Sequence, residues 1–138
     1  MSSTAIEMTK AYFDSIDLRY RVADRDNVLT LGFRDVRNIG SFEIILIFSD
    51  DRYVSLKVYN ICKVPEDKKD CMYKVCSDLN NQYRWDKFYL DEDDNTITMQ
   101  SDAIIEPESA GEKIARLIRF STGVAGEAYP ALMKALWA

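Results

Sequence analysis

The densest group of chemistry-bearing side chains in the chain is Asp91-Glu92-Asp93-Asp94-Asn95. Asp91, Asp93 and Asn95 stand at the first, third and fifth positions of a calcium-binding loop, where oxygen ligands are needed at alternate residues. The match fails further along. The sixth position requires glycine for its sharp bend and is Thr96, and the twelfth requires a bidentate glutamate and is Asp102. Strand-like apolar segments flank the stretch in place of two helices, so it reads as a solvated hairpin turn. The thiols come next: Cys62, Cys71 and Cys76. Five residues of helix turn through roughly 500°, so Cys71 and Cys76 point ~140° apart and do not share a metal ion. Cys76 falls in an apolar stripe and reads as a core thiol. The chain has no histidine, which removes the commonest general base, the commonest metal ligand and every Ser-His or Cys-His nucleophile pair. There is no glycine-rich phosphate loop and no nucleophile elbow. No catalytic, cofactor or metal site is assigned, and the chain is expected not to be an enzyme.

The elements that must position any other site follow from hydrophobic periodicity. Residues 3–18 read as a helix with Ile6, Phe13 and Ile16 on one face, opened by Ser3 or Thr4 with Glu7 completing a capping box. The period then falls to two. Tyr20-Arg21-Val22 is a short strand, Val28 to Phe33 a second, and Arg34 to Ser41 a polar loop. Phe42 to Phe48 is apolar on both faces, as in a central strand covered on both sides. After the turn Asp50-Asp51-Arg52, residues 53–61 form another strand. Pro65-Glu66-Asp67 opens a second helix, with Met72, Val75, Cys76, Leu79 and Tyr83 as its stripe. Phe88-Tyr89-Leu90 and Ile97-Thr98-Met99 are strands, and Pro107 precedes a last helical region. Pro130 is expected to kink or break that region, since proline donates no hydrogen bond and clashes with the carbonyl of Gly126. The order is α-β-β-β-β-α-β-β-α. Tight turns between strands imply antiparallel pairing, so the fold class is α+β: an antiparallel sheet with packed helices in a single domain, residues 1–138.

Composition narrows the partners. The chain has 138 residues, 47% hydrophobic, with 23 acidic against 18 basic side chains. The sequence pI is near 4.8. That balance argues against nucleic acid and anionic membranes, which require a basic field. The longest fully apolar run, Ile44 to Phe48, is far short of a membrane span, and Met1-Ser2-Ser3-Thr4-Ala5-Ile6-Glu7 lacks the pattern of a signal peptide. Three cysteines, an odd and sparse set, suit a reducing cytoplasm.

Several segments and their order resemble the YbjN family, described as putative bacterial sensory transduction regulators. They are the opening helix, Val28-Leu29-Thr30-Leu31-Gly32-Phe33, the run from Leu79 through Asn80, Lys87 and Phe88 to Asp91, and Tyr129-Pro130-Ala131-Leu132-Met133. The resemblance implies a fold similar to that of type III secretion chaperones, small acidic proteins that often dimerise and bind segments of client proteins. It carries no catalytic residues over.

Ile45, Ile47, Tyr53, Tyr59 and Tyr89 fall on the second face of the sheet if Leu46, Leu56, Phe88 and Leu90 face the helices. Either the long C-terminal segment covers these five, or they form a patch for a protein partner or a second copy of the chain. The leading expectation is a protein-interaction module, chaperone-like or a regulatory adaptor, that binds a protein segment, either laid on this sheet face or added as a strand at a sheet edge. The alternative is a small-molecule sensor with an apolar pocket between sheet and helices, lined by Phe33, Phe48 and Trp85.

Overall fold

A computed structural model describes residues 4–137. The elements follow the expected order: α1 (Thr4–Ser15), β1 (Arg21–Val22), β2 (Val28–Val36), β3 (Gly40–Ser49), β4 (Tyr53–Val58), α2 (Lys69–Gln82), β5 (Lys87–Asp91), β6 (Thr96–Ile104) and α3 (Ala110–Trp137). Short 3-10 turns at Glu66–Lys68 and Pro107–Ser109 lead into α2 and α3. The strands form one sheet in the order β1-β2-β3-β4-β6-β5, antiparallel throughout.

Register divides the sheet into two faces of opposite character. Leu29 lies opposite Leu46, Leu46 opposite Leu56, and Leu56 opposite Ser101. This face carries Leu31, Ile44, Phe48, Val54, Val58, Phe88 and Met99, and all of them belong to one buried cluster with Ile6 and Phe13 of α1, Met72 and Leu79 of α2, and Ile114, Ile118 and Leu132 of α3. All three helices therefore pack on the same side. β3 is central, but only one of its faces is covered, which corrects the expectation of cover on both.

Three boundaries depart from the expected ones for local reasons. α1 stops at Ser15, and Asp17 takes a positive φ of 57°, which leaves Ile16 outside the helical stripe and exposed. Ser3 lies outside the described residues, and Thr4 is already helical. The N-terminus of α1 is held from a distance instead: Asp51, in the β3–β4 turn, accepts the Ala5 amide at 2.8 Å. A carboxylate at a helix N-terminus satisfies a free N–H and complements the dipole.

The stretch Arg34 to Ser41 is not a loop but the end of a β-hairpin, with Asp35, Asn38 and Gly40 at positive φ where the chain turns. Its tip is docked on α3. A Cβ on Gly126 would lie 2.5 Å from the Arg37 carbonyl oxygen, so only glycine admits the hairpin backbone there. Nor does Pro130 break the helix, which runs unbroken to Trp137. Proline has no N–H to give the Gly126 carbonyl, and that carbonyl accepts the Asn38 side-chain amide at 3.0 Å instead. Gly126 and Pro130 together make a seat for the hairpin tip.

Candidate functional site: a bare sheet face and an adjoining cleft

On the other face of the sheet, Ile47 lies between Val28 and Ser55, and Ile45 between Thr30 and Lys57. Neither belongs to the core cluster or the side chains packed on it, and both are half-buried. Tyr53, Tyr59 and Tyr89 are 48%, 47% and 38% exposed, high values for rings in or beside strands. All five expected residues thus fall on one face with no helix over it. α3, the long C-terminal segment that was the candidate cover, packs on the opposite side.

The tyrosines are held in place by polar neighbours. The Tyr89 hydroxyl donates to Gln100 Oε1 at 2.9 Å, Lys57 Nζ sits 5.6 Å from the Tyr59 ring centre, and Arg52 sits 6.0 Å from that of Tyr53. Arg21 pairs with Glu43 at the far end of the face. The result is aliphatic and aromatic area interleaved with paired polar groups, a composition suited to protein contact because tyrosine joins a large apolar ring to a polar tip.

The second surface has no signature in the sequence. β5 is five residues long and pairs only with Thr96–Gln100 of the nine-residue β6. Ser101 to Ile104 therefore pair with β4 on one side and with no strand on the other. A cleft of about 510 Å³ runs along this free edge, between Ile104 and Asp102 on one wall and Lys113, Arg116, Leu117 and Phe120 of α3 on the other. Trp85 also lines it and packs edge-on against Phe120, with ring centres 5.1 Å apart.

Trp85 is placed by a rigid connection between α2 and β5. Asn80 accepts the Phe88 amide at 2.7 Å and donates to the Phe88 carbonyl at 3.0 Å, tying the end of the helix to the strand. Lys87 Nζ donates to the carbonyls of Asn80 and Tyr83 at 2.9 and 2.8 Å, a cationic cap at the helix C-terminus. Between them Asp86 turns inward, is fully buried, and accepts the Ser121 hydroxyl of α3 at 2.7 Å. Its other oxygen has no hydrogen-bond partner among the described residues. Burial raises the Asp86 carboxyl above the ordinary value, and the Ser121 hydrogen bond and the Lys87 charge pull it partly back. Three consecutive residues thus face three ways, and Trp85 is the one left outward.

The expected lining of a pocket between sheet and helices does not come together. Phe48 is core, Phe33 stacks on Phe42 at 5.8 Å, and Trp85 is half exposed beside Phe120, so the three line no common cavity. The acidic stretch is a hairpin turn between β5 and β6. Asp91 accepts the Asp93 amide, and Asp94 accepts both the amide and the hydroxyl of Thr96. No group of three metal-ligating side chains occurs among the described residues. Burial pushes the Cys62 and Cys76 thiols up to about 11, leaving them protonated and weakly nucleophilic at neutral pH. No helix among the described residues is long and apolar enough to cross a membrane.

Known proteins bear on this architecture. No curated protein matches the chain. The chain is similar in structure to YbjN from E. coli, described as a putative transcription regulator: TM-score 0.63, 15% sequence identity, 89% of this chain and 90% of that one covered. At that identity the likeness bears on fold alone. The family model for YbjN, described as "putative bacterial sensory transduction regulator", matches residues 6–134. By that match over nearly its whole length, the chain belongs to the YbjN family.

Proposed function

We propose that this protein is a non-catalytic regulatory adaptor that works by holding a segment of a partner protein on the bare face of its sheet. The observation that carries this reading is the one-sided packing: all three helices cover one face, and Ile45, Ile47, Tyr53, Tyr59 and Tyr89 remain on the other with no helix over them among the described residues. The regulatory part agrees with the family description. Burial of these five side chains by a partner supplies apolar area, and the tyrosine hydroxyls and interleaved polar groups set register. The chemistry of the residues supports a binding role over a reaction, since the buried acid, Asp86, is sealed beneath α3 and faces no cleft. The odd, sparse set of free thiols suits the cytoplasm.

A photo-reactive aromatic residue placed at Tyr59 in living bacteria tests the proposal, with the same group at Met8 on exposed α1 as control. The expected result is a discrete adduct from position 59 to a different protein, lost in the Ile47→Glu background and absent from position 8. An adduct of twice the chain's own mass would overturn the reading in favour of self-association. Identical adducts from both positions would overturn it outright.

A further inference from the structure

The free edge of β6 has an unused hydrogen-bonding capacity. The Ile105 amide donates to the Arg52 carbonyl across from β4. In an antiparallel ladder, alternate residues point their backbone groups to opposite neighbours. Ser101 and Ala103 therefore face β4 with Ile105, while the N–H and C=O groups of Asp102 and Ile104 point away from β4. β5 serves that side only as far as Gln100, opposite Lys87. The backbone groups of Asp102 and Ile104 have no partner among the described residues. Ile104 is itself 77% exposed, an unguarded apolar side chain on an open edge, where proteins usually place charge or proline.

The opposite wall of the cleft states what this edge is for. Leu117 and Phe120 of α3, with Trp85, make it apolar, and Lys113 and Arg116 stand over it. Neither cation forms an ion pair among the described residues. The chain as a whole is acidic, at −5, so an acidic segment approaching from solution is repelled by most of the surface and favoured here.

We propose that an extended segment of a partner protein, with acidic side chains alternating with apolar ones, adds as a strand to β6 at Asp102 and Ile104, in line with β5. This deepens the adaptor reading and rests on it: the segment held is specified as a strand, and its place as the cleft beside the bare face. Two donors and two acceptors of β6 fix the backbone. Carboxylates of the added strand turn toward Lys113 and Arg116, with their stems over Leu117 and Phe120. The apolar side chains, on the opposite face by strand alternation, extend the bare face beside Ile104, which lies opposite Tyr53. Ser101 to Ile104 offer about 10–13 Å of strand, which accommodates three or four residues before the added segment meets Trp85.

The test uses the full chain and a blocked eight-residue peptide of alternating valine and glutamate, followed through the backbone amide resonances. Saturable shifts at Asp102 and Ile104 are expected, with affinity falling by about tenfold or more when lysine replaces glutamate in the peptide, or in Arg116→Glu. Ile104→Pro removes a donor that the fold does not use, at an edge position where proline is tolerated. It should abolish binding, while Ile104→Ala keeps the donor and holds affinity within about threefold. Unmoved Asp102 and Ile104 amides at millimolar peptide would overturn the proposal. So would equal binding of the lysine peptide, or full binding by Ile104→Pro. Ile47→Glu separates the two readings. Loss of peptide binding there, with Ile104→Pro still binding, places the segment on the bare face, which overturns strand addition and leaves the adaptor reading standing.

Discussion

Leu46 and Ile47 are neighbours in β3 and belong to different parts of the molecule. Leu46 is fully buried under the helices, opposite Leu29 and Leu56. Ile47 looks out from the other face, opposite Val28 and Ser55, with no layer above it. The two side chains have nearly the same hydrophobicity, so the difference lies in what the rest of the chain brings to each side. Three helices converge on one face because each carries a single apolar stripe and must bury it. Among the described residues no fourth amphipathic element remains to cover the other. An antiparallel sheet tolerates that, since one solvated face is normal for it, but a solvated face is usually polar. Here it keeps three tyrosines and three isoleucines, Ile104 among them opposite Tyr53. One face folds the protein, and the other is free to do something else.

Substitutions sharpen this contrast, beginning with the largest effect. Leu46→Ala should cost about 2–5 kcal/mol in denaturant unfolding, because it opens a cavity in the middle of the core. A cost below that of Ile47→Ala would break the division between the faces. Gly126→Ala comes next, at about 1–3 kcal/mol, since the added methyl displaces the Arg37 carbonyl from its seat on α3. Amide exchange in the β2–β3 hairpin tip should rise with it, while exchange in β5 stays as it was.

Asp86 tests the covered face by pH. Its carboxyl is raised in the fold by burial, above the ordinary value of 3.8. The unfolded chain therefore releases that proton first as pH rises. The stability this group lends is complete below the unfolded value and is lost as pH rises through the folded one. Asp86→Asn, which does not titrate, should gain on the wild type steadily from acid to neutral pH in thermal unfolding. A difference that stays flat with pH would mean the carboxyl is not buried as described.

The smallest effects belong to the bare face. Ile47→Glu should cost about 1 kcal/mol, as befits a half-buried strand position without a cavity to leave. Tyr53→Ala should stay within about 0.5 kcal/mol, since nearly half of that ring is already in water. A loss comparable to that of Leu46→Ala at either position would show that this face, too, holds the fold together.

Much of the covered face was legible in the sequence. The period-two run of β3 and the stripe Met72, Cys76, Leu79 on α2 are local patterns, and each ended in the core. The five residues of the bare face were found by the same alternation. What escaped depends on contacts between distant residues. Asp51 caps α1 from 46 positions away. The hairpin 34–41 reads as a polar loop because its seat, Gly126 and Pro130, lies far along the chain, and Pro130 reads as a break until Asn38 supplies the missing donor. The cleft along β6 has no local signature, because Gln100 to Asp102 carry no apolar alternation and Trp85 reads as lining a pocket shared with Phe33 and Phe48. The unequal lengths of β5 and β6 were the available signal, and they appear only once both strands are paired.

The most direct test of the division between the faces is the photo-crosslink yield from position 59 in the Ile47→Glu protein, taken in cells where its unfolding midpoint confirms a folded chain. The account predicts that the chain stays folded and the adduct seen in the wild type disappears. A folded Ile47→Glu protein that gives the same adduct in the same yield would contradict it, since the bare face would then be exposed but not used.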